Sequence, residues 1–222
     1  MAQFVHAPQP YKYNIKAEEN NDQRWYTVRN GIKYPSVTTV IGYGPKLWLE
    51  EWKKNLGPEK AAAETLRCQE RGERVHEMAE LYLKNDRAPT ANQLESNIKL
   101  FNQIKLPLNK INNIRLQERP LFSDRLRLAG RVDVVGEYDG VLRVIDFKTS
   151  NNNKYNDMVH DYFLQCTAYA IMYQEMFDVT IDEIAVIIAV ERGIVPMVYV
   201  KKIDEYVKPL LERINTFYED HP

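Results

Sequence analysis

The chain has 222 residues, of which 44% are hydrophobic and 27% charged, a balance typical of a globular domain with a sizeable core. Its net charge of -1 argues against a protein that coats nucleic acid nonspecifically over its whole surface. No apolar run reaches the roughly 20 residues needed to cross a bilayer, and the first residues include no signal-peptide core, so we expect a cytoplasmic location and no membrane partner.

The two cysteines, Cys68 and Cys166, lie far apart in the sequence and both fall in predicted helices. They indicate neither a disulfide framework nor a zinc site. Because an iron-sulfur cluster usually needs four thiolates, we also expect no such cluster.

The first half of the chain is predicted to start with strands and to continue with helices. Short runs rich in aromatic and β-branched residues, bounded by polar turns at residues 20–22 and 29–31, predict strands at residues 11–15, 24–28 and 31–34. Proline at a first helical position and threonine as a cap predict three helices, beginning at Pro45, at Pro58 with a break near Gly72, and at Thr90.

The second half of the chain is predicted to begin with a cluster of four strands, which precede the next helix. The predicted strands are residues 112–119, 121–128, 132–138 and 141–147. A helix over residues 156–176, strands at 184–190 and 197–201, and a closing helix over 204–218 follow. No internal repeat or long linker divides the chain.

The most informative segment is a predicted hairpin with carboxylates on both strands. Asp139-Gly140 is a strong signal for a two-residue turn, and this turn pairs Tyr138 with Val141. Counting outward from that pair places Asp133 opposite Asp146 on one face, with their Cβ atoms roughly 5 Å apart. Lys148 returns to the same face two residues later.

Facing carboxylates predict divalent-metal chemistry, because like charges across a sheet repel unless a cation lies between them. Carboxylate oxygens suit Mg²⁺ or Mn²⁺, and one or two ions are expected. A nearby lysine can orient the attacking water and offset charge that develops on phosphorus. The predicted reaction is phosphodiester hydrolysis.

Asp133, followed by Asp146-Phe147-Lys148, resembles the D…(D/E)-x-K signature of the PD-(D/E)XK nuclease superfamily. Three further segments resemble its RecB-like branch, which includes mitochondrial genome maintenance and phage exonucleases: Arg71 to Glu80 is similar to its R-G-x-x-x-H-x-x-x-E helix, Gln165 to Tyr169 to its Q-x-x-x-Y motif, and residues 35–38 to its P-S-V-T segment. Together these segments span most of the chain.

The resemblance implies an α/β fold with a restriction-endonuclease-like core, a mixed central sheet flanked by helices, and a helical N-terminal region with short N-terminal strands. We predict one nuclease domain over residues 1–222. Residues 1–107 would shape the substrate entrance, and residues 108–222 would form the catalytic core.

The resemblance also assigns roles to individual residues. Asp133, Asp146, His76 and the Phe147 backbone carbonyl would hold the metal, and Lys148 would position the hydrolytic water. Gln165 and Tyr169 would hold the scissile strand. Arg71, Arg74 and Arg131 would contact phosphates, while Glu80 and Glu118 are further acidic candidates, Glu80 as a residue that orients His76.

The implied function is a metal-dependent DNA exonuclease acting on single-stranded DNA ends in phage or bacterial replication, recombination or repair, in the host cytoplasm if phage-encoded. Two alternatives stay open: a structure-specific or restriction-type endonuclease, and a non-catalytic nucleic-acid-binding module of the same fold. Polarity, the choice of DNA over RNA, oligomeric state and protein partners do not follow from the residues.

Overall fold

A computed structural model describes residues 3–20 and 23–221. Its regular elements, in chain order, are β1 (Lys16–Asn20), β2 (Gln23–Thr27), β3 (Lys33–Pro35), α1 (Val37–Ile41), α2 (Leu47–Leu56), α3 (Pro58–Leu83), α4 (Glu95–Leu108), β4 (Ile111–Ser123), β5 (Leu128–Tyr138), β6 (Val141–Ser150), α5 (Asn156–Phe177), β7 (Glu183–Val190), β8 (Met197–Lys202) and α6 (Asp204–Asp220). The predicted bend at residues 20–22 falls largely on residues outside the described ranges.

The central sheet has five strands in the order β4-β5-β6-β7-β8. The β6–β7 pair is parallel and the other three pairs are antiparallel, so the sheet is mixed. Helices α3 and α4 cover one face, and α5 and α6 cover the other. Since β7 is covered on both faces, its sequence after Glu183 is the continuous apolar run IAVIIAV. This arrangement confirms the predicted α/β restriction-endonuclease-like fold.

A separate sheet of three antiparallel strands, in the order β1-β2-β3, lies near the amino terminus. Tyr26 and Tyr34 from this sheet pack with Phe122 and Ala129 of β4 and β5. The N-terminal strands therefore pack against the β4–β5 edge of the central sheet. The predicted single domain, divided at residue 107, stays a prediction.

The strand predicted at residues 11–15 is wrong. These residues are extended but pair with no strand among the described residues, and the first strand begins at Lys16. The Tyr11 hydroxyl donates to the Pro120 carbonyl at 2.6 Å, and the Tyr13 hydroxyl donates to the Met176 carbonyl at 3.0 Å. Side-chain anchoring of this kind holds an extended segment without a backbone ladder.

The predicted boundary between two strands near Pro120 is also wrong, because residues 111–123 form the single strand β4. Proline lacks the N–H that an interior strand must donate, but β4 is an edge strand, where that loss is tolerated. The turn falls instead on residues 124–127, where Arg127 adopts a φ of 55°.

Two helix predictions need correction. Helix α3 runs unbroken through Gly72, because one glycine lowers helix stability by only about 1 kcal/mol. A Cβ at Gly72 would lie 3.6 Å from the Thr149 hydroxyl oxygen, so this glycine lets α3 approach β6 closely. Helix α4 begins at Glu95 rather than near Thr90, since Asn92 adopts a φ of 60° that interrupts a helix. Within the described ranges, no helix is long and apolar enough to cross a membrane.

Candidate active site

The β5–β6 hairpin has the predicted turn and register. Asp139 and Gly140 have φ values of 50° and 77°, the positive values that a tight two-residue hairpin turn requires. Tyr138 pairs with Val141, and the ladder continues outward to the pair Val134–Ile145. Asp133 and Asp146 would form the next pair, but the ladder does not include them.

The regular ladder stops at this position. The Phe147 backbone N–H donates to Asp133 Oδ2 at 2.8 Å, so a carboxylate takes the place of a backbone acceptor. Beyond this bond β6 stays paired with β7 as far as Ser150–Val190, while its pairing with β5 has ended. The two strands therefore separate at Asp133 and open a cleft in the sheet.

Three potential metal ligands meet at this cleft. His76 of α3, Glu118 of β4 and Asp133 of β5 each offer a ligand atom, and these atoms lie within 4.8 Å of one another. His76 Nδ1 is 3.4 Å from Asp133 Oδ2. Two carboxylates and an imidazole suit a divalent cation, so the donor set fits the ion that the sequence predicts.

Glu118 joins this group through an unusual backbone conformation. Its φ is 50°, in the left-handed region, although it lies within strand β4 between residues that pair with Val134 and Val132. A non-glycine residue in this region typically costs about 1–3 kcal/mol and is found most often at functional sites. Burial, and secondarily the Asp133 charge, raise the pKa of Glu118 to about 7.

From the sequence, Glu118 was a further acidic candidate for the site, but it was not among the residues expected to hold the metal. The signal that could have suggested a metal-binding role is its position on β4. The residues on either side of Glu118 pair with the residues on either side of Asp133. That signal depends on the register of the long β4–β5 pairing. No tight turn at a recognisable Asp-Gly sequence sets that register.

Asp146 contacts α5 through Gln165, and only 1% of Asp146 is exposed. The Gln165 side-chain amide donates to Asp146 Oδ1 at 3.0 Å, and Asp146 Oδ2 forms an ion pair with the Lys148 ammonium. Burial raises the pKa of Asp146 to about 6, although the Lys148 charge opposes the shift. Metal binding by Asp146 and by the Phe147 carbonyl stays a prediction.

Lys148 remains a cation at neutral pH. Burial lowers the pKa of its ammonium, but the carboxylates of Asp146 and Asp133 outweigh burial and raise that pKa above its usual range. The ammonium is therefore held beside the cleft as a fixed positive charge.

Tyr169 is buried on α5, and its ring packs directly on β5. A Cβ at Gly130 would lie 2.8 Å from the Tyr169 ring, closer than carbon atoms approach, so the ring needs glycine at this position. The glycine of the Gly-Arg pair that precedes Asp133 is thus explained by the tyrosine of the Q-x-x-x-Y motif.

The remaining predicted residues differ in accessibility. Arg74 is largely exposed and pairs with Glu77 at 3.1 Å, and Arg131 is exposed and contacts Glu118 Oε2 at 3.1 Å. Glu80 forms an ion pair with Lys84 rather than a contact with His76. Phosphate binding by the two arginines stays a prediction.

Arg71 is the least accessible of the predicted phosphate contacts. It is 6% exposed, and its Nη1 donates to Asn151 Oδ1 at 2.6 Å and to Glu191 Oε2 at 2.7 Å. These bonds join α3 to the loops that follow β6 and β7. Contact between Arg71 and nucleic acid stays a prediction. The hydrogen bonds of Arg71 within the protein lead to a separate expectation about stability.

We expect Arg71→Ala to lower the free energy of unfolding by about 2 kcal/mol. Removing one partner of a fully buried ion pair typically costs roughly 3–5 kcal/mol. The expected loss is smaller here because 30% of the Glu191 side chain is exposed. Arg74→Ala, which removes an exposed pair on the same helix, should change stability by less than about 0.5 kcal/mol. Urea titrations of both variants measure the difference. Equal stabilities would show that the Arg71 bonds contribute little.

The family comparison agrees with this geometry. The family model described as "PD-(D/E)XK nuclease superfamily" matches residues 48–209 of the chain. The chain belongs to this superfamily. The match includes α3 with His76, the split hairpin and α5, so the PD-(D/E)XK assignment covers each element that lines the cleft. The chain is a nuclease, and nucleases of this superfamily generally use divalent metals.

One curated relative is the mouse protein "Mitochondrial genome maintenance exonuclease 1", which is 29% identical over 134 residues. The alignment covers 57% of this chain and 39% of the mouse protein. The chain therefore matches well under half of that relative's length.

The raised pKa values predict that metal binding to this PD-(D/E)XK nuclease depends on pH. Glu118 and Asp146, with pKa values of about 7 and about 6, are protonated in slightly acidic solution, and a cation must displace those protons. We expect the apparent Mn²⁺ affinity to rise between about pH 5.5 and about pH 8, with net proton release near neutral pH.

Isothermal titration in two buffers of different ionisation enthalpy measures both the affinity and the number of protons released. An affinity that does not change over this pH range would contradict the role of these carboxyls at the ion.

Proposed function

We propose that this nuclease is a divalent-metal-dependent deoxyribonuclease that removes nucleotides from single-stranded DNA ends. The observation that carries the proposal is the separation of β5 from β6 at Asp133, where His76, Glu118 and Asp133 meet near the Asp146–Lys148 pair. Mg²⁺ or Mn²⁺ fits the ligand atoms best, in one or two sites.

In this proposal Asp133, Glu118 and His76 hold the ion, with Asp146 and the Phe147 carbonyl as additional ligands. A bound divalent ion would lower the pKa of a nucleophilic water and neutralise charge on the scissile phosphate. Gln165 orients Asp146 through its 3.0 Å bond, and Asp146 in turn holds the Lys148 ammonium.

Lys148 acts on the reacting phosphate. Its ammonium can donate hydrogen bonds to the attacking water and to a phosphate oxygen, where negative charge grows as the new P–O bond forms. Since the carboxylates of Asp146 and Asp133 keep the ammonium charged, it needs no change of protonation before the step.

A substrate strand has an open route to the cleft. A cavity of about 550 Å³ between the β1–β2 hairpin and strands β4 and β5 is lined by Tyr26, Arg24, Arg131 and Glu118. It reaches the candidate metal group through Glu118. We propose that part of the DNA strand occupies this cavity, with Arg131 at a phosphate.

The proposed preference of this nuclease for DNA ends is supported by the name of the mouse relative, which describes an exonuclease of mitochondrial genome maintenance. We propose on that basis a role for this chain in DNA replication, recombination or repair. An endonuclease would share the same ligand set, so product analysis is needed to distinguish the two.

The deciding experiment compares end-labelled linear single-stranded DNA, linear duplex and circular single-stranded DNA, each in Mg²⁺, Mn²⁺ or Ca²⁺. We expect rapid shortening of the linear single strand, slower attack on the duplex, an intact circle, and little cleavage in Ca²⁺, which tolerates longer and looser coordination. Cleavage of the circle would establish an endonuclease. No cleavage of any substrate by the folded protein would favour a non-catalytic binding module.

A further inference from the structure

Two lysines of the chain converge on one aromatic ring beside the cleft. Lys148 Nζ lies 5.4 Å from the centre of the Tyr162 ring, and Lys154 Nζ lies 4.9 Å from it. The Lys154 ammonium also donates to the Tyr162 hydroxyl at 2.7 Å. Since Lys148 is already paired with Asp146, Lys154 adds a second ammonium beside that ion pair. A second positive charge at this edge of the cleft favours binding of a phosphate group.

Tyr162 belongs to the same helical face as the residues that line the cleft. It lies three positions before Gln165 on α5, and helical spacing places such residues side by side. Gln165 binds Asp146, and Asp146 binds Lys148. Lys154 therefore lies next to the candidate active site, since it and Lys148 contact the same Tyr162 ring.

Next to Lys154, the Tyr155 side chain is 75% exposed. The backbone that carries it is anchored, because the Tyr199 hydroxyl donates to the Lys154 carbonyl at 2.6 Å and the Lys154 N–H lies 3.2 Å from Met197 Sδ. An exposed aromatic ring on an anchored backbone is a surface on which an unpaired base can stack with little loss of conformational entropy.

We propose that Lys154, Tyr155 and Tyr162 form a subsite for a single-stranded DNA nucleotide adjacent to the scissile phosphate. Lys154 binds the phosphate of that nucleotide, and the Tyr155 ring stacks on its base. Tyr162 is a positioning residue, because its ring and hydroxyl hold both ammonium groups at the edge of the cleft. The subsite rests on the proposed nuclease function and identifies where that function recognises an unpaired base.

The subsite is tested by binding of fluorescein-labelled oligothymidylate to the full chain, followed by fluorescence anisotropy in Ca²⁺. Base–aromatic stacking contributes about 1–3 kcal/mol, so Tyr155→Ala should weaken binding by roughly 5- to 150-fold, whereas Tyr155→Phe keeps the ring and should bind like the wild type. Lys154→Met should weaken binding and make the salt dependence shallower by about 0.7 in its logarithmic slope.

A matched control is Lys105→Met, because Lys105 of α4 lies 5.3 Å from the centre of the ring of Tyr82 of α3 and belongs to neither the candidate metal group nor the proposed subsite. This variant should bind like the wild type. A second control replaces the oligothymidylate by an abasic strand of equal length. The effect of Tyr155→Ala should then vanish, since no base remains to stack, while the effect of Lys154→Met should persist.

Two outcomes would overturn the subsite. One is wild-type affinity in both Tyr155→Ala and Lys154→Met. The other is a loss in Tyr155→Ala that is equally large on the abasic strand, which would indicate a structural defect. If the wild type cleaves DNA and binds the oligonucleotide, these results reject the subsite alone. If the wild type neither binds nor cleaves, the proposed function fails and the subsite fails with it.

Discussion

Lys148→Met is expected to reduce the rate of single-turnover DNA cleavage by roughly 10²- to 10³-fold, the loss typical of removing one group that stabilises a charged transition state. Methionine keeps much of the lysine side-chain volume but has no ammonium to place at the phosphate. Binding of Mn²⁺ should survive, because Lys148 is not among the candidate ligands and removal of a cation near the site favours another cation. Quenched-flow cleavage and Mn²⁺ titration measure the two quantities separately.

Lys105→Met again provides the matched control, since Lys105 also lies over a tyrosine ring but on α4. It should cleave at the wild-type rate. Thermal melts of both variants check that the fold is retained. Without metal, Asp146 should tolerate the loss of Lys148 by taking up a proton, because burial already raises its pKa to about 6. A bound Mn²⁺ would displace that proton. Wild-type cleavage by Lys148→Met would remove Lys148 from the mechanism.

Asp133→Asn is expected to weaken Mn²⁺ binding by more than about 100-fold, since even residues behind metal ligands typically contribute 10- to 100-fold. Cleavage should fall to background. The Asn amide oxygen can still accept the Phe147 N–H bond that ends the β5–β6 ladder, so the cleft should keep its shape. Isothermal titration and the end-labelled DNA assay measure both effects.

The stability of Asp133→Asn without metal distinguishes a lost ligand from a lost fold. The Asp133 charge raises the pKa values of Glu118 and Asp146 but also attracts the Lys148 ammonium. Its removal relieves the first effect and loses the second, so the variant should melt close to the wild type. Asp139→Asn, in the turn of the same hairpin, is the control, because asparagine tolerates its φ of 50°. Tight Mn²⁺ binding by Asp133→Asn would exclude Asp133 as a ligand.

Much of the hairpin was predictable from the sequence. The Asp139-Gly140 turn sets the pairing of Tyr138 with Val141, and the two-residue period of a strand then carries that register as far as Val134–Ile145. The two-residue period of the strands could not predict that the β5–β6 ladder ends at Asp133. The end of the ladder depends on a side chain replacing a backbone acceptor.

Among the other elements, too, some were predictable from the sequence and some were not. The continuous apolar run of β7 and the proline that opens α3 were sufficient to predict both elements. Residues 11–15 were not predictable, because their extended conformation depends on tyrosine hydroxyls bonding to carbonyls at Pro120 and Met176. Contacts between residues so far apart in sequence leave no local pattern.

By itself, the sequence determined the hairpin register and the motifs that resemble a nuclease family, because turns, strand alternation and helical spacing are local properties of the chain. The mixed α/β core was expected from that resemblance rather than from the local pattern. The tertiary structure alone decided that Glu118 meets His76 and Asp133, that Arg71 is buried, and that Lys154 and Lys148 share the Tyr162 ring. These groupings arise where helices pack on the sheet, and packing depends on the shapes of many side chains at once rather than on the spacing of a few.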